Sequence, residues 1–399
     1  MPAARLARHV RVRDPETGEG IDDGLALWFP GPNSVTGEDV AELHLHGSRA
    51  VSAAVMAALA RRGLRLAEPG EFTRRAFLNG KLDLTQAEAV ADLTAAETEA
   101  QRRQALRQLE GGLGDLYRGW SERLLRLLAH LEAAIDFPDE DLPPEIEARV
   151  AEESAALLGE IEAHLADDRR GERLRDGIAV AIVGPPNAGK SSLLNQLARR
   201  EAAITSPIAG TTRDVIEVAI DLAGYPVVLA DTAGLRDSAD VVEREGLRRA
   251  LARAEAAELR LFVFDAARPQ DVAGAARWPG PDTLLVANKV DLVGRQASLP
   301  AGALAVSALT GEGLPNLIER VVVGIAERYD IGAPLLTRAR HREALEAAAG
   351  AVSRSVGTEF PELRAEDLRI AWRSLGLITG RANVEDLLDV IFRDFCIGK

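Results

Sequence analysis

The sequence predicts a multidomain chain with α/β and all-α parts. A doubly wound parallel sheet carrying a P-loop is inserted into a helical domain and preceded by a small α+β domain. Three observations predict this. Between 177 and 324, apolar strand-like runs alternate with helical ones, which implies parallel strands joined by crossover helices. On either side, apolar residues recur at steps of three and four, the signature of helices with one buried stripe. Near the start, a short segment alternates apolar and polar residues, as a half-buried strand does.

Residues 1–80 read as short strands with a helix. In VAELHLHG (40–47), Ala41, Leu43 and Leu45 share one face, and Glu42, His44 and His46 share the other. Gly47 ends that strand, and SRAVSAAVMAALARRG (48–63) reads as a helix stopping at Gly63. His44 and His46 have no third ligand nearby, so a polar sheet face is expected rather than a metal pair. Residues 81–176 read as the first part of the helical domain. There Leu113, Leu116, Trp120, Leu124, Leu127, Leu131 and Ile135 form one stripe. The proline- and acid-rich DFPDEDLPPE (136–145) interrupts it, and DDRRGERLRDG (167–177) reads as a linker. Residues 177–326 are the α/β module, with strands in GIAVAIVG (177–184), VVLADTAG (227–234), LRLFVFDA (259–266) and TLLVANKVD (283–291). Residues 327–399 return to helix. Leu368, Ala371, Leu375 and Ile378 form one stripe, and Leu387, Leu388, Ile391, Phe392 and Phe395 another.

Composition narrows the function. A net charge of −14 argues against gripping nucleic acid by bulk electrostatics, which needs a basic face. Local clusters (Arg61, Arg62, Arg65, Arg74 and Arg75; Arg102, Arg103 and Arg107) could still meet RNA, but a solvated arginine-rich surface is the expected reading. No apolar run approaches the roughly 18 residues of a membrane span. The opening MPAARLARHVRVRD has no apolar core of a signal peptide. One cysteine, Cys396, excludes an internal disulfide framework and fits a reducing, cytoplasmic setting.

Lysine is rarer still: of 48 Lys and Arg residues only Lys81, Lys190, Lys289 and Lys399 are lysine. Where lysine persists, a compact point charge on a flexible stem is a candidate requirement. Lys190 and Lys289 fall in nucleotide motifs. Gly184, Gly189, Lys190 and Ser191 complete G-x-x-x-x-G-K-S between a strand and a helix, the context of a P-loop. Its backbone N–H groups (Asn187, Ala188, Gly189, Ser192) are expected to cradle phosphates, with Lys190 reaching the β- and γ-phosphates and Ser191 ligating Mg²⁺. Asp231-Thr232-Ala233-Gly234 follows a strand as the second phosphate-side motif. GTTRD (210–214) lies between the two, and Thr212 is expected to complete the Mg²⁺ shell. In NKVD, Asn288, Lys289 and Asp291 set the base: the Asp291 carboxylate accepts from guanine N1–H and its amine, which adenine cannot offer as a pair. Ser307, Ala308 and Leu309 would place an N–H against guanine O6. Leu235 stands where many small GTPases carry a water-orienting glutamine, so another device is needed. Asn187 could hold a monovalent cation beside the phosphates, offsetting charge as an arginine finger does. Glu243 could orient the water, with Arg213 and Arg236 as rival charge stabilisers.

These residues resemble the MnmE (TrmE) tRNA-modification GTPases. The likeness runs through ALWFPGPNSVTGEDVAELHLHG (26–47), PGEFTRRAFLNGKLDLTQAEAV (69–90), AAIDFPDED (133–141), the stretch 184–214, DTAGLRDSADVVEREG (231–246) and the terminal CIGK (396–399). It implies an N-terminal tetrahydrofolate-binding, dimerising domain (1–80), a two-part helical domain (81–176 and 327–399) and an inserted G domain (177–326). It implies a cytoplasmic homodimer working with an FAD-containing MnmG-type partner that holds most of the tRNA. Together they would place a (carboxymethyl)aminomethyl group on carbon 5 of wobble uridine U34, using a 5-formyl- or 5,10-methylene-tetrahydrofolate unit. GTP hydrolysis would drive paired G domains. K⁺ would be held by Asn187, Ser206, Ile208 and Thr211, and Mg²⁺ by Ser191 and Thr212, with Pro207, Ala209 and Gly210 along the same loop. Glu243 matches the catalytic glutamate, with Asn187 and Lys190 completing the catalytic set. Glu42, Lys81 and Lys399 match the folate pocket, which takes up the two lysines outside the nucleotide motifs, and Cys396 lies beside it. The family's opening strand–loop–helix segment has no counterpart here, so the folate domain is expected to be truncated. An Era- or Der-like RNA-binding factor is the alternative. It wants a basic domain after the G domain, whereas this tail is helical and closes in CIGK.

Overall fold

A computed structural model describes residues 2–136, 145–201, 216–231, 248, 251–293, 299–329 and 335–381. In chain order the elements begin with strands β1 (Arg8–Arg13), β2 (Gly20–Phe29) and β3 (Val40–His44). Helices α1 (Arg49–Arg61), α2 (Glu71–Leu78), α3 (Leu84–Ala95), α4 (Glu99–Leu109), α5 (Gly112–Asp136), α6 (Glu145–Leu165) and α7 (Arg170–Asp176) follow. Next come β4 (Ile178–Val183), α8 (Lys190–Arg200), β5 (Ile216–Leu222), β6 (Tyr225–Asp231), β7 (Leu259–Asp265), β8 (Thr283–Asn288) and β9 (Leu304–Ala305). Helices α9 (Leu314–Tyr329), α10 (Ala339–Gly357) and α11 (Pro361–Thr379) close the described chain.

The chain divides into two compact units. One holds 1–94, 108–159 and 344–399. It opens with an antiparallel sheet in the order β1-β2-β3, with Val10 opposite Gly24 and Leu27 opposite Glu42. The expected helix is present: the Ser48 hydroxyl accepts from the Val51 N–H at 3.2 Å, and the chain turns after Arg62 at Gly63, φ 83°. The half-burial expected of β3 is not found. Ala41, Glu42, Leu43 and His44 are all exposed, because the contacts of β3 are chiefly its ladder to β2 and, among the described residues, little packs on either face. The two histidines face carboxylates: His44 pairs with Glu42 at 3.0 Å and His46 with Asp22 at 2.9 Å. Among the described residues no group of three or more His, Cys, Asp or Glu side chains is placed to hold a metal ion. In the same unit α5 packs along α11. Leu113, Trp120, Leu124, Leu127 and Leu131 are buried as their spacing requires, and so are Leu368, Ala371, Leu375 and Ile378. Leu116 and Ile135 reach only partial burial.

The second unit holds 95–107 and 160–343. Its six-stranded sheet runs β5-β6-β4-β7-β8-β9. All neighbours are parallel except β5, which pairs antiparallel with β6 through a two-residue turn with Ala223 at φ 51° and Gly224 at φ 91°. The apolar runs read as strands are buried on both faces. Val180, Ile182, Leu229, Leu261, Val263 and Val286 pack with α8 and α9 into one core, while Ala181, Val183, Phe262 and Phe264 enter another. Among the described residues no helix is long and apolar enough to cross a membrane.

Candidate functional site

The site lies in the second unit, at the carboxyl ends of the parallel strands, where open α/β sheets form their ligand crevice. Strand β4 hands the chain to Gly184 at φ 139°. A Cβ there would stand 2.0 Å from the Val263 carbonyl oxygen, so only glycine lets the loop leave the strand so close to β7. Asn187 (φ 63°) and Gly189 (φ 92°) are also left-handed, and Gly189 caps α8. Such alternation bends backbone N–H groups into an anion-binding concavity at a helix N-terminus.

Lys190 opens α8 and is only 6% exposed. Its Nζ donates to the Gly184 and Pro185 carbonyls at 3.0 and 2.9 Å, folding back over the loop. Burial pushes the ammonium pKa down, and the Asp231 carboxylate opposes that push. Asp231 ends β6 opposite Ile182 of β4 and is itself buried. Ser191 and Ser192 stand exposed on the first turn of α8.

The segments 288–291 and 307–309 are joined to this loop through Asn288. Its Nδ2 donates to the Ala188 carbonyl at 2.8 Å, and its Oδ1 accepts from the Ala308 N–H at 2.9 Å. Asn288 is 1% exposed, so both bonds are made away from water. Gly189 fits beneath it, since a Cβ there would meet Asn288 Nδ2 at 2.2 Å. Buried Ser307 stiffens the last loop: its N–H donates to the Glu312 carbonyl and its Oγ accepts from the Thr310 N–H. Asp291 and Leu309 are exposed. Lys289 takes a left-handed conformation, φ 65°, and donates to Asp265 Oδ2 at 2.8 Å.

The structure therefore joins Ala188, Asn288 and Ala308 by hydrogen bonds, packs Gly189 against Asn288, and sets the Asp231 charge against Lys190. Ser206, Pro207, Ile208, Ala209, Gly210, Thr211, Thr212, Thr232, Ala233, Gly234 and Glu243 lie outside the described residues, as do Arg213, Leu235, Arg236, Cys396 and Lys399. Of the folate candidates in the first unit, Glu42 is exposed on β3 beside His44. Lys81 donates to the Pro32 carbonyl at 3.1 Å. Lys81 also borders a cavity of about 480 Å³ with Asp83, Gln86, Arg118 and Arg381. Glu42 does not line it. Sequence reasoning missed Asp265. The available signal was a carboxylate closing the apolar run LRLFVFD at the strand's carboxyl end, where ligands sit.

Two family models match the chain. The family model described as "GTP-binding protein TrmE N-terminus" matches residues 2–81, and "MnmE helical domain" matches 84–396. The chain is 58% identical to "tRNA modification GTPase MnmE" of Parvibaculum lavamentivorans, with 100% of this chain and 91% of that protein covered. It is also 58% identical to the protein of that name from Paramagnetospirillum magneticum, with the same coverage. Among solved structures it is similar to the G domain of the T. maritima FeoB iron transporter at 24% identity, covering 37% of this chain and 98% of that one with a TM-score of 0.28. From a family model spanning most of its length and relatives far above the identity at which families diverge, the chain belongs to the MnmE family.

Proposed function

We propose that the chain is a GTP hydrolase acting in tRNA modification, with its nucleotide held in the second unit. The observation that carries this is Asn288, which binds the P-loop at Ala188 and the base loop at Ala308 at once, so phosphate and base elements form a single site. The relatives' name, tRNA modification GTPase, supports the wider role.

The chain's own residues divide the work. The concave loop 184–190 offers N–H groups to phosphates, and the buried Lys190 leaves its two carbonyl partners for a stronger anionic one. An ammonium already stripped of water gains most from such a partner. Asp291 selects guanine by accepting from two donors adenine lacks. The residues on hand suit Mg²⁺: Ser191 is an exposed hydroxyl at the helix head, and the buried Asp231 carboxylate is one strand away. Bound there, the ion would neutralise charge between the outer phosphates. For K⁺, Asn187 is exposed on a left-handed turn of the loop and suits an oxygen donor. Ser206, Ile208 and Thr211 would complete its shell, Thr212 that of Mg²⁺, and Glu243 would orient water.

The finer reading extends this proposal. The modified atom is carbon 5 of U34 in certain tRNAs, the product a (carboxymethyl)aminomethyl group, and the carbon source a tetrahydrofolate. Glu42, Lys81 and Lys399 would serve that folate. The chain would act as a homodimer with an MnmG-type FAD protein, in the cytoplasm. Its domains would divide at 80, 176 and 326.

Turnover of GTP against ATP, each in K⁺ and in Na⁺, tests the core of the proposal. The expected result is guanine preference, several-fold faster turnover in K⁺, and loss on Asn187→Ala or Glu243→Ala. Equal turnover of ATP and GTP would overturn the nucleotide assignment, and equal rates in both salts the cation. Calorimetry with 5-formyltetrahydrofolate should show weaker binding by Lys81→Arg; unchanged affinity would remove Lys81 from the pocket.

A further inference from the structure

We propose that Asp265 is a positioning residue for the nucleotide base: its carboxylate holds the Lys289 ammonium and so fixes the lysine stem where one face of the purine lies. The inference rests on the guanine-nucleotide reading above and adds to it a residue outside the five motifs.

Lys289 sits between two residues with separate tasks. Asn288 before it ties loops together, and the exposed Asp291 after it is the residue assigned above to the base edge. Its backbone is left-handed at φ 65°, a conformation that disfavours a side chain and persists only when its surroundings impose it. Asp265 is one such surrounding. Its Oδ2 accepts from Lys289 Nζ at 2.8 Å, while its Oδ1 accepts from the Ala267 N–H at 2.9 Å. The strand end is pinned as well: Asp265 is the register partner of Asn288, and the Ala266 N–H donates to the Asn288 carbonyl at 2.8 Å. The carboxylate is thus clamped, and the lysine must come to it.

Two further features favour a built pair over a chance surface contact. The side chains of Lys289 and Asp265 are 31% and 20% exposed, so water screens them less than an open surface pair. Burial works to raise the Asp265 carboxyl, yet the bonds from Lys289 and the Ala267 N–H, with the charges of Lys289 and Arg268, together outweigh it, and the group stays below its usual range. With its charge answered by Asp265, Lys289 offers methylenes to a ring rather than a free ammonium. That role is indifferent to the number of phosphates. It also explains why lysine is kept here in a chain that otherwise uses arginine, whose planar fork could not both reach one clamped oxygen and lay a flexible stem along a base.

The test is dissociation of a fluorescent GDP and of a fluorescent non-hydrolysable GTP from the full chain. Wild type, Asp265→Asn, Lys289→Met and the double variant are compared, with GTP turnover alongside. Asp265→Asn should speed release of both nucleotides alike by about tenfold, the size of one charged hydrogen bond. Its cost in turnover should fall on KM more than kcat, and Asp265→Glu should recover part of it. In the Lys289→Met background Asp265→Asn should add nothing. Unchanged release, loss confined to one nucleotide, or full additivity with Lys289→Met would overturn the proposal, the last by showing a structural role independent of the lysine. A wild-type chain that binds no guanine nucleotide would overturn the functional reading itself. Tight wild-type binding with an indifferent Asp265→Asn would overturn only this inference.

Discussion

At the scale of single residues, the second unit depends on backbone positions that tolerate no side chain and on buried groups whose charge is costly. Gly184 is the plainest case, because φ 139° and a 2.0 Å approach to the Val263 carbonyl both exclude a Cβ. Gly184→Ala should destabilise the second unit by about 3 kcal/mol or more, from backbone strain and overpacking together. Chemical unfolding should show a lower midpoint with loss of guanine-nucleotide binding; an unchanged midpoint would mean the loop relaxes freely. Glu258 offers a titration test. It is 8% exposed, its N–H donates to the Ala179 carbonyl, and its carboxylate accepts from Tyr329 Oη. Burial raises its pKa above the ordinary value, so the folded chain binds this proton more tightly than the unfolded one. The resulting stability is complete below the ordinary carboxylate pKa and is lost as pH rises through the raised value. Glu258→Gln keeps an acceptor for Tyr329 and removes the charge. Its melting temperature relative to wild type should therefore climb between about pH 4 and pH 7. A difference that stays flat over that interval would contradict a raised carboxyl.

At the scale of elements, a buried guanidinium holds three helices together. Arg342 of α10 donates to Asp167 at 2.6 Å, to Glu172 of α7 at 2.7 Å and to the Leu165 carbonyl at the end of α6 at 2.9 Å. Arg342 and Asp167 are both buried. Arg342→Met should cost about 3–5 kcal/mol, because it strands carboxylates rather than merely deleting a bond. Thermal unfolding that moves by less than a few degrees would show those carboxylates rehydrate. None of this was legible in the sequence, where Arg342 is one arginine among 44. What was legible had a local cause. Ser48 and Gly63 bracket α1 because caps are local, and the buried strands of the second unit show as apolar runs because both their faces are covered. The antiparallel β5 escaped notice because its turn places Ala223, not a typical left-handed residue, before Gly224. The burial assigned to β3 failed because alternation reports a face fit to be covered, not whether anything covers it. Motif spacing located Lys190, Asn288 and Lys289, but motifs do not record partners, so the links to Ala188, Ala308 and Asp265 appeared only with the fold.

At the scale of the whole molecule, the question is how a chain of net charge −14 serves a tRNA pathway. Its arginine clusters would suggest a polyanion surface, but most of those guanidiniums are already answered. Arg61 pairs with Asp14 and Glu16, Arg65 with Glu71 at 2.7 Å, and Arg75 with Glu38. In the second unit Arg102 and Arg103 both donate to Glu99, at 2.7 and 2.8 Å, and hold its carboxyl down at about 2. Such exposed pairs add little stability, yet each carboxylate cancels charge a phosphate would otherwise meet. Nucleic-acid affinity grows with the number of phosphates neutralised, and so does its sensitivity to salt. The isolated chain should therefore bind tRNA no more tightly than the roughly 10⁻⁴–10⁻⁶ M of non-specific contacts at physiological salt, with a shallow dependence on salt concentration. Filter binding across a salt series measures both quantities. Adding the proposed FAD-containing partner should tighten binding and steepen the slope, because the phosphate contacts would then belong to that partner. Tight, steeply salt-dependent binding by the isolated chain would mean that its paired arginines release their carboxylates for phosphate.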